Sequence, residues 1–175
     1  MKKIQLTGLI FLLIIKLHNV YAADNLKFNG ELVKEACNLS PETTVIPLNF
    51  GSIPDTFIYN GTKLRNVNFQ IKLINCDVLI SKSVRIAMKG AESGEMPGYL
   101  AVPIDGKASG VAIGILNKEN NLIKINSDGN LQQLTSNTTS FDYSAFIVGE
   151  PTAIKEKSIE RGAFDVSLSF SMSYE

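Results

Sequence analysis

The 175-residue chain carries 17 lysines and arginines against 17 aspartates and glutamates, and 45% of its residues are hydrophobic. A neutral chain without a basic run argues against nucleic acid as a partner. It has one histidine, two cysteines and no tryptophan, which leaves few groups for metal binding or for nucleophilic catalysis.

Residues 1–22 have the layout of a secretory signal peptide. Two lysines precede the apolar run Leu6–Ile15, and small residues around Ala22 offer a cleavage site. The run is too short to span a bilayer comfortably, although a membrane anchor is the alternative. We expect cleavage after Ala22 or Ala23, followed by export. Removing residues 1–22 takes away three lysines, the only histidine and no acid, which leaves 14 basic against 17 acidic residues.

The first segment of the exported chain alternates between apolar and polar residues. Its apolar face carries Leu26, Phe28, Gly30 and Leu32. A period of two predicts a strand, and the alternation continues through Asn29-Gly30, a pair that would ordinarily signal a hairpin turn. A glycine on the apolar face indicates that another backbone comes close. From the residues alone, this strand could equally pair within its own domain.

The two cysteines, Cys37 and Cys76, favour a disulfide, because an even count in an exported chain is typical of one. A zinc site would need further ligands, and the exported chain has no histidine to supply them. A bridge that closes a loop of about 40 residues is expected to stabilise the fold by about 4 kcal/mol.

Short strand-like runs separated by turn signals fill the rest of the chain, and no segment has a sustained helical period. The predicted strands are Val45–Phe50, Val67–Ile74, Val84–Met88, Tyr99–Ile104, Val111–Leu116, Leu122–Ile125 and Phe141–Val148. The segment Ala153–Gly162 is interpreted as a charged connector that could form one helical turn. This pattern predicts a single all-β sandwich or barrel domain.

The last predicted strand, Gly162–Tyr174, is the most regular one. Its apolar face carries Phe164, Val166, Leu168, Phe170, Met172 and Tyr174, with polar residues between them. Chain ends are usually frayed and polar unless they are tied down. A regular strand at this position therefore raises the question of what pairs with it.

Few residues of the chain could carry chemistry. A Ser-His-Asp or Cys-His arrangement is excluded in the exported chain, and no cofactor site is predicted. Glu92 and Glu95 could in principle form a hydrolytic carboxylate pair, but a solvated loop is the simpler interpretation. The glycines Gly110 and Gly114 are expected to serve close packing within a strand rather than phosphate binding. We therefore expect a protein that is not an enzyme.

The two ends, read together with the cysteines, resemble a known family. The segment "LKFNGELVKEAC", a second cysteine 39 positions later, Gly162 and the penultimate Tyr174 are similar to the pilin subunits of chaperone–usher fimbriae, especially the type 1 group. The resemblance covers the whole exported chain. It implies an incomplete immunoglobulin-like sandwich that lacks its final strand, which a chaperone or a neighbouring subunit completes with a donor strand.

The resemblance also assigns roles along the chain. Residues 1–22 are the expected signal peptide, residues 23–33 the donor-strand extension, and residues 34–175 the pilin domain. The donor strand presents Leu26, Phe28, Gly30 and Leu32, while Gly162–Tyr174 borders the open groove. The implied partners are a periplasmic chaperone, an outer-membrane usher, other pilin subunits and, for the assembled fimbria, a host-surface receptor. The implied location is the cell surface, reached through the periplasm.

The rank of the subunit stays open in the sequence. Only Ala23–Asn25 precede Leu26, whereas major type 1 subunits often carry a longer lead. The alternatives to a shaft subunit are a minor or tip-proximal adaptor, or a subunit that binds a glycan or a protein through loops such as Lys89–Gly98. A two-domain tip adhesin would be about twice as long.

Overall fold

Two antiparallel β-sheets face each other across one apolar core. The computed structural model describes residues 29, 32, 34–61, 66–103 and 107–175. The strands among these residues are β1 Asn38–Leu39, β2 Val67–Cys76, β3 Ser83–Lys89, β4 Leu100–Ala101, β5 Val111–Asn117, β6 Leu122–Ile123, β7 Asn130–Gln133, β8 Asn137–Gly149 and β9 Ser169–Tyr174. This architecture is the predicted incomplete immunoglobulin-like sandwich, so the predicted fold class is confirmed.

The larger sheet has the strand order β1-β2-β8-β5-β4, and β6 also pairs with β5. The long pair of β2 and β8 places Phe69 opposite Tyr143, with ring centroids 5.4 Å apart. Ile71 is completely buried on the same face of β2, as the alternation predicts. Gly114 in β5 is a close-packing position, because a Cβ there would meet the Phe146 ring at 2.4 Å.

The smaller sheet has the order β7-β3-β9. Val84, Ile86 and Met88 of β3 are each at most 2% exposed and belong to the same core cluster as Ile71 and Ile113 of the larger sheet. The terminal strand β9 pairs antiparallel with β3, from Val84 opposite Tyr174 to Lys89 opposite Ser169. It lies at one edge of this sheet.

Several predicted elements have different limits in the structure. The predicted strand Val45–Phe50 is not in a sheet. In the described part of Tyr99–Ile104, residues 99–103, and in Leu122–Ile125, the strands are the two-residue β4 and β6. Helix α1 at Asp55–Tyr59 was not predicted, and helix α2 at Pro151–Glu156 begins before the segment in which one helical turn was considered. A helix of five or six residues shows too little of a 3.6-residue period to be recognised.

The segment Ala153–Gly162, interpreted as a charged connector that could form one helical turn, does contain the last part of α2, followed by irregular chain. Neither helix among the described residues has the length and apolar character that crossing a membrane would require.

Candidate functional site: an open groove beside the terminal strand

An apolar groove with a volume of about 310 Å³ opens between the sheets, next to β9. One wall is the segment Val45–Phe50 and the other is residues 167–170. The floor is apolar: Phe69 is half-buried there, and the other floor residues, which are buried, are Ile71, Met88, Leu100, Ile113, Ile115 and Ala145. Both walls thus border an apolar interior that is still open on one side.

The first wall was predicted as a strand, and its side chains do alternate. Ile46, Leu48 and Phe50 are half-buried and line the groove, while Pro47 and Asn49 are exposed. Its backbone has no strand partner among the described residues. Its role as a groove wall could have been inferred from this alternation, because it matches that of the terminal segment.

The second wall continues the terminal strand toward its start, but only part of it is a strand. The predicted strand Gly162–Tyr174 is too long, because residues 163–168 have no ladder partner within the described part of the chain. The partner strand β3 ends at Lys89, opposite Ser169, so no backbone of β3 remains for residues before Ser169. The alternation nevertheless extends through both parts, with the large apolar residues half-buried and the polar residues exposed.

The predicted groove-edge residues occupy three environments. Leu168 and Phe170 line the main groove. Gly162 and Phe164 line a smaller cavity of about 190 Å³. Val166, Met172 and Tyr174 pack, half-buried, against the core cluster. The seven residues thus share one edge, but only two of them line the main groove.

The smaller cavity lies near the start of the terminal segment. Phe164 contacts Phe50 of the opposite wall, with ring centroids 6.2 Å apart. Gly162 packs so closely on Lys107 that an added Cβ would lie 2.2 Å from the Lys107 Cβ. A side chain at position 162 would therefore clash with Lys107, which explains why a glycine lies there. Gly162 itself is not part of a strand.

The other end of the terminal strand is fixed by hydrogen bonds. The hydroxyl of Tyr174 donates to the Cys37 carbonyl oxygen at 3.0 Å. Burial and the nearby Glu35 carboxylate raise the pKa of Tyr174. Cys37 is joined to Cys76, so the structure contains the predicted disulfide. Tyr174 thus connects the edge strand to the disulfide.

Glu175 strengthens this anchor. Its backbone carbonyl oxygen accepts hydrogen bonds from the hydroxyls of Ser81 and Ser83, and its backbone N–H donates to the Ser83 carbonyl at 3.1 Å. Its carboxylate accepts from the Arg85 guanidinium at 2.6 Å, which lowers the pKa of Glu175. The end of the strand is therefore held by its own domain.

The predicted donor strand is mostly outside the described residues. Leu26, Phe28 and Gly30 lie there, as does the predicted signal peptide. Leu32 is described and is fully exposed, with 102% relative accessibility. Because most of the segment lies outside the described residues, its donor role remains a prediction.

The two carboxylates considered for hydrolysis have structural contacts instead. Glu92 accepts a hydrogen bond from the Gly98 backbone N–H, and Glu95 accepts one from Thr152 N–H at 2.9 Å, in the first turn of α2. Among the described residues, no group of three or more histidine, cysteine or acidic side chains is arranged to hold a metal ion. The apolar groove beside the terminal strand is therefore the candidate site considered below.

An all-β sandwich with an open apolar groove beside its last strand defines a class of incomplete immunoglobulin-like domains. The family model described as "Fimbrial protein" matches residues 26–175. The candidate minor fimbrial subunit PmfF of Proteus mirabilis (strain HI4320) is 28% identical over 152 residues, which cover 86% of this chain and 84% of the relative. The major fimbrial subunit of the same strain is 24% identical, covering 86% and 80%.

A solved structure agrees with the fold. The crystal structure of the P pilus rod subunit PapA superposes with a TM-score of 0.71 at 19% identity, covering 81% of this chain and all of that one. The chain belongs to the fimbrial protein family, whose members are structural pilin subunits.

Proposed function

We propose that this chain is a structural subunit of a surface fimbria and polymerises by donor-strand exchange in the chaperone–usher pathway. The observation that carries the proposal is the groove of about 310 Å³, whose two walls alternate yet have no strand between them in the described residues. An unpaired edge with apolar side chains favours pairing with a strand from another chain.

The donor in this proposal is the extension at residues 23–33, which precedes the pilin domain at residues 34–175. Eleven extended residues span about 36 Å. The acceptor edge from Phe164 to Tyr174 also has 11 residues, so the two segments match in length. Burying Leu26, Phe28 and Leu32 would contribute roughly 5–9 kcal/mol to the binding free energy. Backbone hydrogen bonds would add to this gain, and the entropy lost when the extension becomes ordered would reduce it.

The partners follow from the same scheme. A periplasmic chaperone would fill the groove until the next subunit supplies its extension, and an outer-membrane usher would export the growing fibre. Because each subunit gives one strand and receives another, the contact is head-to-tail and generates an open filament. Residues 1–22 would direct export and be removed. A receptor on a host surface would meet the assembled fimbria rather than the single subunit.

A minor or tip-proximal adaptor is the alternative rank, because the similar proteins include both a candidate minor subunit and a major one. The groove and the extension have the same roles in either case.

Deleting Ala23–Leu32 tests the proposal. The shortened chain should still bind a synthetic peptide of residues 23–33, because its groove is intact, but it should no longer extend a fibre. Peptide binding is measured by native mass spectrometry, and fibres are counted by electron microscopy in cells that produce the matching chaperone and usher. Lys27→Ala, on the polar face of the extension, is the control and should leave fibres normal. Fibres of wild-type length from the shortened chain would contradict the donor role.

A further inference from the structure

The pilin domain begins beside its disulfide. Lys34 and Glu35 are exposed, whereas Ala36 and Cys37 are each only 1% exposed. The Ala36 carbonyl oxygen accepts a hydrogen bond from the Asp77 N–H at 2.8 Å, directly after the disulfide partner of Cys37. The backbone therefore enters the domain at a fixed point next to Asp77.

An exposed apolar turn follows immediately at residues 77–81. Leu79 is 93% exposed and Ile80 is 42% exposed, while Val78 packs against the core. The turn is ordered by hydrogen bonds, because the Asp77 carboxylate accepts from Leu79 N–H and the Asp77 carbonyl accepts from Ile80 N–H, both at 3.0 Å. Leu79 is thus exposed to solvent on a turn whose conformation is fixed by hydrogen bonds.

This turn differs from the other exposed apolar positions of the domain. Val45, Phe57 and Leu131 are exposed large hydrophobic residues, but each stands apart from the others in sequence. Single exposed apolar residues are normal on protein surfaces. Two adjacent ones on an ordered turn, beside the point where the chain enters the domain, form a small surface that a partner can cover.

The connection to the extension identifies that partner. We infer that the Leu79–Ile80 turn docks on the fimbrial subunit whose groove receives residues 23–33 of this same chain. The inference rests on the proposed function. No linker separates residue 33 from Lys34, so a subunit that holds the extension must lie close to Lys34, and Lys34 is three residues from the disulfide beside the turn.

The contact requires little affinity of its own. Once the extension is bound, the docking step becomes intramolecular, and a high effective concentration lets a small apolar contact form. Burial of Leu79 and Ile80 would then fix the angle between consecutive subunits. Without this contact, the two domains are joined only by the backbone between the donor strand and Lys34, and their relative angle can vary.

Photo-crosslinking of assembled fimbriae tests this contact. The full chain carries Leu79→p-benzoylphenylalanine, and the matched control carries the same substitution at Leu131, a 46% exposed leucine on β7. Irradiated fibres are dissociated and the products are mapped by mass spectrometry. We expect a covalent link from position 79 to the receiving subunit, at several times the yield from position 131.

Equal or lower yield from position 79 in fibres of normal length would overturn the inference. That outcome leaves the proposed function intact, because fibres have formed by strand exchange. Loss of peptide binding by the groove, in the deletion experiment above, would instead remove the proposed function and this inference with it.

A second variant, Leu79→Ser, tests the same contact through fibre stiffness. Its groove should bind the 23–33 peptide as the wild-type groove does, while its fibres should bend more freely in electron micrographs. Fibres as stiff as wild type would also overturn the inference.

Discussion

The terminal segment has two halves that share a side-chain pattern and differ in backbone pairing. In residues 163–168 and in β9 alike, the large apolar side chains are half-buried and the polar ones between them are exposed. In β9 each residue from Ser169 to Tyr174 has a ladder position opposite β3. The preceding six residues have none among the described residues, because β3 ends at Lys89.

This difference separates two kinds of information in the sequence. The alternation specifies which face of the segment packs on the core. It does not specify whether the backbone of the segment pairs with a strand of its own domain or with a strand of another chain. β9 obtains its pairing and its anchor at Tyr174 and Glu175 from its own domain. Residues 163–168 have the side chains of a strand, and in our account an incoming strand supplies the missing pairing.

Removing the disulfide should have the largest effect on the anchored half. Changing both Cys37 and Cys76 to serine should lower the free energy of unfolding by about 4 kcal/mol, because the unfolded chain loses a constraint on a 39-residue separation. The measurement is urea unfolding of a self-complemented chain, in which residues 23–33 are repeated after Glu175 through a flexible linker. An unchanged midpoint would show that the bridge does not support this end.

A smaller effect is expected from truncating the groove wall. Phe170→Ala removes a half-buried ring that lines the groove, and donor binding would complete the burial of that ring. We expect the variant to lose about 2 kcal/mol of binding free energy, which corresponds to a roughly 30-fold larger dissociation constant for the 23–33 peptide. The control is Ser171→Ala, on the exposed face of β9. If the two variants bind the peptide equally well, Phe170 does not contact the donor.

The smallest effect concerns the anchor itself. Tyr174→Phe removes the hydrogen bond to Cys37 and should cost about 1 kcal/mol in unfolding free energy. Tyr59→Phe is a matched control, because the Tyr59 hydroxyl accepts from Ile159 N–H at 3.1 Å, at a site away from β9. Amide exchange near residue 174 should accelerate only in the Tyr174 variant. Similar exchange in both variants would mean that Tyr174 does not hold the end of the strand.

Much of the fold could be predicted where strands are long and one face is apolar. Strands β2, β3, β5 and β8 all contain the predicted runs, and β8 extends beyond its run. The disulfide could be predicted from two cysteines in an exported chain. In these cases the local pattern and the burial in the domain agree.

The remaining elements depend on information that alternation does not carry. Val45–Phe50 alternates like a strand but has no partner among the described residues. Strand β7 was missed because three of its four residues, Asn130–Gln133, are polar and Leu131 is the single apolar one, so no alternation is visible. The floor of the groove also could not be assigned, because residues as distant as Phe69 and Ala145 meet only in the folded sheet.

Hydrogen exchange on residues 163–168 tests the central claim most directly. The chain lacking Ala23–Leu32 is compared without and with the bound 23–33 peptide. We predict that amides in residues 163–168 exchange rapidly without the peptide and become protected with it, while the β9 amides bonded to β3 are protected in both states. Protection of residues 163–168 before the peptide is added, or no gain of protection after it binds, would contradict the claim that this edge receives a strand from another chain.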